Sequence, residues 1–585
     1  NDNAQNQSYP KLDERIAQTY AAASTAGLNK SLYDAYIKAF RWSTDRLSND
    51  GGIICFVTNG AWIDGNSTDG FRKWLEREFT SIYVFNLRGN ARTSGELRQR
   101  EAGNIFGGGS RTPIAITLLV KNPSAKIKNA KIYYHDIGDY LSREEKLEKI
   151  RNGHSVNSGA IKWRVLQPNE YGDWLNQRND MFNDFIPLEP GKKYKVGSQS
   201  YFVVHSMGTA TNRDNWVYNF SKQGLINNIK TTIDHYQEQL KLFRINKISE
   251  PSRNSAKGTW TRDWMKLLKR NVLIEEVASE YRITHYRPFT LANSYFHDDL
   301  NQERYQLPSL FPRTGIDNRL ICVSSVGSNK GLAVLITKYI PDLHFVGDTQ
   351  CFPLYYYEER RENPGLFDLG DDGDYVHRDG ISDFILDRAR KQYSRKVTKE
   401  DIFYYVYGFL HSKEYGQSFE NDLRKSLPRI PLVDDVQDFW AFSQAGRKLA
   451  DLHINYESVP PFDGIKVVGA ESNFYEVEKM RFPKKNQRDT ILFNSKIKIE
   501  GIPDRAYDYV VNGKSAIEWI MERYQITNHK ESGIKNDPND WAREVGNPRY
   551  ILDLLLSIIN VSMQTVDIVE ELPKLCFSPY GKQKT

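Results

Sequence analysis

Apolar positions change period repeatedly along the first 140 residues. From Leu32 to Leu47 they fall at Leu32, Ala35, Tyr36, Ala39, Phe40, Trp42 and Leu47, a helical spacing. Asn49-Asp50-Gly51-Gly52 ends that pattern. Ile53–Val57 is a continuous apolar, partly β-branched run, which predicts a strand buried on both faces. Phe71–Phe79 reads as a short helix, and Ile82–Leu87, Ile114–Val120 and Lys131–Tyr134 read as further strands. Strands separated by helices predict an α/β sheet that is at least partly parallel. Beyond residue 160 the alternation is lost. Ile381–Phe409, Gly513–Tyr524 and Pro548–Glu571 have helical patterns, while Ile465–Val468 and Asp489–Ile502 look like strands. The second half is therefore expected to be α+β.

Length and composition narrow the class. At 585 residues, with 39% hydrophobic and 26% charged residues, the chain is neither disordered nor a membrane protein by composition. The longest apolar run, Ile551–Met563, is interrupted by Asp553 and Asn560 and is shorter than the roughly 20 residues a spanning helix needs. Cys55, Cys322, Cys351 and Cys576 stand far apart without a CxxC pair, which argues against a disulfide scaffold or a zinc site and favours a reducing compartment. The eleven histidines have no metal spacing, so no metal is expected. No Walker A, GxGxxG after a strand, HExxH or GxSxG motif is present.

A net charge of +6 is mild, but its distribution is uneven. Lys241–Arg270 holds nine Lys/Arg against two Asp/Glu, with Trp260 and Trp264 among them. Cations interleaved with aromatics fit a surface that follows a phosphate backbone, and a solvated helix face is the alternative. Arg88–Arg111 adds five Arg against two Glu in a loop ending Gly107-Gly108-Gly109. The acidic stretch 358–380 carries Asp368, Asp371, Asp372 and Asp374 and reads as an exposed loop between two lobes. It is not a calcium loop, because the twelfth position from Asp368 is Asp379 where an EF-hand needs Glu.

Leu32-Tyr33-Asp34-Ala35-Tyr36-Ile37, Gly51-Gly52-Ile53-Ile54-Cys55-Phe56-Val57-Thr58-Asn59 and Asp69-Gly70-Phe71-Arg72-Lys73-Trp74-Leu75 resemble motifs V, VI and VII of amino-DNA methyltransferases. Gly103-Asn104-Ile105-Phe106 and Ser110-Arg111-Thr112-Pro113-Ile114-Ala115-Ile116 resemble motif VIII. Arg88-Gly89-Asn90, Thr209-Ala210-Thr211-Asn212-Arg213-Asp214, Cys351-Phe352-Pro353-Leu354-Tyr355, Leu427-Pro428-Arg429-Ile430-Pro431 and Gly513-Lys514-Ser515-Ala516-Ile517-Glu518-Trp519 resemble, in order, strings of Type ISP restriction–modification enzymes. The resemblance runs from about Ser8 to the C-terminus.

The resemblance implies the C-terminal part of a Rossmann-like α/β methyltransferase sheet over residues 1–240, followed by a large α+β target-recognition domain over 241–585. It implies sequence-specific recognition of duplex DNA and S-adenosylmethionine-dependent N6-adenine methylation by base flipping. In such enzymes a nuclease and a helicase-like ATPase, using ATP and Mg, precede these parts. The S-adenosylmethionine loop and the catalytic Asn-Pro-Pro-Tyr-like tetrapeptide would lie upstream of motif V, and the sequence contains neither. The chain is therefore expected to be part of a longer polypeptide, acting as a monomer on one site in a bacterial cytoplasm, in phage defence. A DNA-recognition module without catalytic activity is the competing expectation, and RNA binding by the basic stretches is a third.

The resemblance implies the first three site residues, and side-chain chemistry and position suggest the DNA contacts. Phe106 would stack on the flipped adenine. Leu32 and Tyr36, four apart, would line the adenine side of the cofactor. Arg92, Arg98, Arg111 and Thr112 would contact phosphates around the flipped base. Asn212 and Arg213 could reach phosphates or a base edge. Arg313, Asn318, Arg319, Asn329 and Lys330, around the apolar strand Leu320–Val326, are candidates for sequence readout.

Overall fold

The computed structural model describes residues 8–26, 29–47, 50–93, 95–107, 109–125, 129–190, 199–328, 330–360, 374–484 and 487–577. Contacts divide the chain into two compact units, Asn1–Asn179 and Asp180–Thr585. Residue 240, near the expected boundary, falls inside one continuous helix, Lys222–Arg244, within the larger of these units.

The smaller unit is built on a five-stranded sheet of β1 (Gly52–Asn59), β2 (Ser81–Arg88), β3 (Ile114–Lys121), β4 (Lys131–Asp136) and β5 (Arg164–Leu166) in the order β1-β3-β2-β4-β5. β3 is antiparallel to both neighbours and β2 is parallel to β4, so β1, β2 and β4 share one direction. Helices α1 (Ala35–Thr44) and α2 (Asp69–Glu78) contribute Ile37, Phe40, Phe71 and Leu75 to the core formed with Ile54, Ile82, Val84, Leu119 and Ile132. In α1 the buried positions Ile37, Phe40, Arg41 and Thr44 follow the helical repeat. The side chain of Arg41 is buried between Glu78, at 2.9 Å, and Asp45, at 2.6 Å. β1 departs from expectation. It is an edge strand, and Ile53 and Val57 are 64% and 49% exposed, so only its Ile54 side faces the core.

The larger unit contains two four-stranded sheets. One runs Ile340–Pro341, Tyr281–Arg287, Thr290–Tyr295, Tyr218–Asn219, and the other Val334–Thr337, Leu320–Val323, Gln350–Pro353, Ser206–Met207. Cys322 and Cys351, 29 residues apart, face each other across the second sheet with Sγ atoms 3.9 Å apart and remain free thiols. The flanks of the acidic stretch, Tyr355–Glu359 and Tyr375–Asp379, pair as an antiparallel hairpin within this unit. Residues 361–373 lie outside the described residues.

The helical expectation over 381–409 resolves into Asp383–Gln392 and α3 (Lys399–Phe409), and α3 packs on α4 (Val436–Ile454). Asp489–Ile502 resolves into the paired strands Thr490–Leu492 and Lys498–Glu500. Among the described residues one helix, Tyr550–Glu570, is long and apolar enough to cross a membrane. It is a core helix here, with Leu552, Leu555, Ile558, Ile559 and Val561 buried in the largest apolar cluster.

Candidate nucleic-acid interface

The connection from β2 to β3 is held by a hydrogen-bond clamp centred on Asn104. Its Nδ2 donates to the carbonyls of Gly89 at 3.1 Å and Thr112 at 2.8 Å, while its Oδ1 accepts from the Phe106 amide at 2.9 Å. The Ala91 amide donates to the Arg111 carbonyl at 3.0 Å. The helix Arg143–Asn152 grips the same loop. Lys146, fully buried, donates to the carbonyls of Glu101 at 2.8 Å and Gly103 at 2.7 Å, and Arg143 Nε donates to Ile105 O at 3.0 Å. Burial lowers the Lys146 pKa.

Phe106 is thereby presented half exposed at the tip of a fixed loop. On the same clamped connection Arg92 and Arg111 are exposed and Thr112 is half-buried. Arg98 is not free in the same way, because its Nη1 donates to the Ala102 carbonyl at 2.6 Å, at the end of its own helix. Asn104 was legible as part of a motif string but not as the clamp. Lys146 gave no signal, since its helix is too polar to mark a buried position.

The two expected cofactor residues are not on one helix. Leu32 lies in the short 3-10 turn Lys30–Tyr33, and Asp34, in extended conformation, separates it from Tyr36 in the first turn of α1. Leu32 has no exposed surface and belongs to the core. Tyr36 is half-buried, and burial pushes its phenol pKa up.

In the larger unit all nine cations of Lys241–Arg270 are exposed. Among the described residues Lys241, Lys247, Lys257, Arg262, Lys269 and Arg270 make no ion pair, whereas Arg253 pairs with Glu250 and Lys266 with Asp263. The aromatics turn the other way. Trp264 is fully buried with its Nε1 donating to the Asp299 carbonyl at 2.7 Å, and Trp260 stacks on Tyr236 with ring centres 5.8 Å apart. The tryptophans are a core under a cationic surface and not a stacking platform for bases.

The remaining candidates are scattered over this unit. Asn212 is exposed in a left-handed conformation, φ 54°. Arg213 is only 3% exposed and lies over the Trp264 ring at 4.1 Å, so it cannot reach a base edge. Asn318 is likewise buried. Its Nδ2 donates to the carbonyls of Leu310 and Tyr355, and its Oδ1 accepts from the amides of Arg319 and Tyr355, which uses its full capacity. Arg319 is half-buried, donating to Tyr404 Oη at 2.6 Å, with Glu400 at 3.7 Å. Arg313 is exposed on the wall of an open groove of about 1030 Å³ shared with Tyr281, Ile283 and Lys338. Lys330 is exposed beyond the strand, which ends at Val323, and partial burial together with Lys514 lowers its pKa. Asn329 lies outside the described residues. Among the described residues no cluster of His, Cys, Asp or Glu could hold a metal ion.

The family described as Type ISP C-terminal specificity domain matches residues 200–554. No curated protein matches the sequence. Among solved structures, the chain is similar over 97% of its length to a nuclease-deletion mutant of the Type ISP restriction-modification enzyme LlaGI in complex with a DNA substrate mimic, with 38% identity and a TM-score of 0.85. It is similar over 97% to the ATP-dependent Type ISP restriction-modification enzyme LlaBIII bound to DNA, with 37% identity and a TM-score of 0.87. A DrdV–DNA complex matches over 98%, with 30% identity and a TM-score of 0.82. The chain spans 43%, 36% and 55% of those three chains respectively.

Proposed function

The chain belongs to the Type ISP restriction–modification family, and from that premise we propose that it recognises duplex DNA, with the larger unit carrying the main phosphate-facing surface. The observation that carries this reading is the Lys241–Arg270 segment, whose nine cations all face outward over a tryptophan core. Exposed cations without carboxylate partners can release DNA counterions, so log K should fall linearly with log salt. Fluorescence anisotropy with a labelled 30-bp duplex, competed by unlabelled duplex or by structured RNA, tests it. Stronger competition by RNA would overturn the reading.

The finer proposal is that the smaller unit is part of an N6-adenine methyltransferase that flips its target base, in a longer polypeptide with ATP-driven translocase and nuclease domains. Three codirectional strands, β1, β2 and β4, with antiparallel β3 inserted, are consistent with the end of a doubly wound sheet. Phe106, half exposed on a clamped loop, is suited to stack on an extruded base. In the enzyme that methylates, Phe106→Ala should reduce the fluorescence rise of 2-aminopurine at the target position. An unchanged rise would refute the stacking role.

The residues present do not by themselves fit S-adenosylmethionine. Leu32 has no surface to offer, and only the Tyr36 ring is partly accessible. That observation favours a second reading, DNA recognition without methyl transfer by these 585 residues alone. Methylation assays on this chain and on a longer polypeptide containing it separate the two.

A further inference from the structure

The sheet of the smaller unit is covered on one face and partly open on the other. Ile54, Leu119, Ile82, Ile132 and Leu166 lie opposite one another across all five strands, and all are buried in the core shared with α1 and α2. One residue along, Cys55, Leu118, Tyr83, Tyr133 and Val165 form the matching row on the second face, and each is half-buried or exposed. Cover on that face comes from Trp163, in an edge-to-face contact with Tyr83 at 5.3 Å between ring centres, and from Ile150 of the helix Arg143–Asn152, which packs with Phe85. It leaves Ile53, Cys55 and Val57 of β1 exposed.

A run such as Ile53-Ile54-Cys55-Phe56-Val57 belongs to strands buried on both faces, in sheets with helices on each side. In this fold the run is also an edge strand. The Gly60 amide donates to the Pro113 carbonyl at 2.8 Å, continuing the register of β1 on β3, so the even-numbered residues of β1 are the ones that exchange hydrogen bonds with β3. The Val120 carbonyl, opposite Ile53, instead accepts from the Thr80 amide at 2.8 Å, on the β2 side. The amides and carbonyls of Ile53, Cys55 and Val57 therefore point away from the sheet, and among the described residues no strand pairs with them. A long apolar edge of this kind is a template for pairing with another segment.

We propose that this edge and face are the docking surface for a part of the longer polypeptide outside these 585 residues, which adds a strand along β1 and lays a helix over Ile53, Cys55 and Val57. The inference rests on the reading of the smaller unit as part of a larger methyltransferase, and names the surface through which that unit is completed. Length is available, because the chain spans only 43%, 36% and 55% of the three similar chains. A second copy of this chain fits less well. Pairing edge to edge would satisfy the outward amides, but it extends a sheet without covering its face. A strand followed by a helix does both.

Cys55 is an exposed free thiol in the middle of this surface and reports on its cover. Labelling with N-ethylmaleimide in the absence of DNA, read at Cys55 by peptide mass, compares this chain with a longer polypeptide containing it. Cys55 should label several-fold more slowly in the longer polypeptide. Amide hydrogen exchange should slow there at Ile53, Cys55 and Val57 as well. In this chain alone, the labelling rate of Cys55 should not depend on protein concentration.

Equal labelling of Cys55 in the two proteins would overturn the docking surface. Equal exchange at the three amides would remove the added strand. Labelling of this chain that slows as its concentration rises would give the surface to a second copy, against the proposal. Methyl transfer assayed on the same longer polypeptide keeps the two ideas apart. Transfer with Cys55 still open sinks the surface and leaves the methyltransferase reading standing, and a protected Cys55 without transfer does the reverse.

Discussion

The contact between α3 and α4 makes a sharp prediction about a single methyl group. Gly408 on α3 and Gly446 on α4 stand where the two helices cross. A Cβ on Gly446 would lie 1.9 Å from the Tyr404 carbonyl oxygen, and one on Gly408 would lie 2.1 Å from the Phe442 carbonyl oxygen. Real Cβ atoms essentially never come within 3.0 Å of such a neighbour, so Gly446→Ala demands at least 3.0 − 1.9 = 1.1 Å of separation at that point. The obstacle is backbone and cannot rotate away. Moving α4 disturbs the ring of Phe439 stacked on Tyr405, 4.9 Å between centres, and the Phe442–Phe409 contact at 5.2 Å. Overpacking of this kind costs about 1–3 kcal/mol, with a backbone clash towards the upper end. Against it stands the intrinsic helix preference of Ala over Gly, about 0.8–1 kcal/mol. Destabilisation should win by about 1–2 kcal/mol. Urea unfolding followed by tryptophan fluorescence, with Trp440 on α4 as a local reporter, should show a lower midpoint at unchanged slope. The Gly408→Ala, Gly446→Ala double variant should lose less than the sum of the singles, since the first methyl has already parted the helices. A Gly446→Ala protein as stable as its parent would refute the close crossing.

Other expectations are equally direct. Burial depresses the pKa of His285 to about 3, of His411 to about 4 and of His453 well below the usual value, so all three stay neutral in the fold. The unfolded chain then binds more protons below about pH 6.5, so stability is full above that pH and is lost as pH falls towards 4, by up to about 1.4 kcal/mol per pH unit for each histidine. Asp342, raised to about 6 by burial, works in the opposite direction below pH 6, as do Glu76 and Glu457, whose carboxyls burial also raises, while His205 and His235, lowered by burial, add to the histidine side. A urea midpoint that is flat from pH 7 to 5 would refute the neutral histidine core. Lys146→Met should free the carbonyls of Glu101 and Gly103 and speed tryptic cleavage at Arg98, Arg100 and Arg111, and unchanged cleavage would deny the clamp. The triple variant Lys247→Ala, Lys257→Ala, Lys269→Ala should flatten the salt dependence of duplex binding by up to roughly 2.7 in slope. Trp264→Ala should instead act through stability, costing about 3–5 kcal/mol, and a selective loss of DNA affinity in a stably folded variant would contradict its core placement.

The elements of the smaller unit were legible because strand and helix periods are local properties. Ile82–Leu87, Ile114–Val120 and Lys131–Tyr134 each lie within an observed strand. The ordered motif strings were also enough to reach the family, without any knowledge of contacts. Burial was not legible, because it depends on what the rest of the chain places against a residue. Ile53 looked like core and is exposed, since β1 lies at a sheet edge. Arg213 and Asn318 looked like reading heads by residue type, and both are enclosed by segments distant in sequence. Trp260 and Trp264 shared a basic stretch with nine cations, yet the fold packs the tryptophans into an apolar cluster and leaves the cations exposed. Cys322 and Cys351 meet only because strand register sets them opposite each other. Sequence by itself determined the local periods, the outward charge of 241–270 and the family. Tertiary structure decided which polar groups remain available to a ligand, because a donor enclosed by packing and already hydrogen-bonded has nothing left to offer.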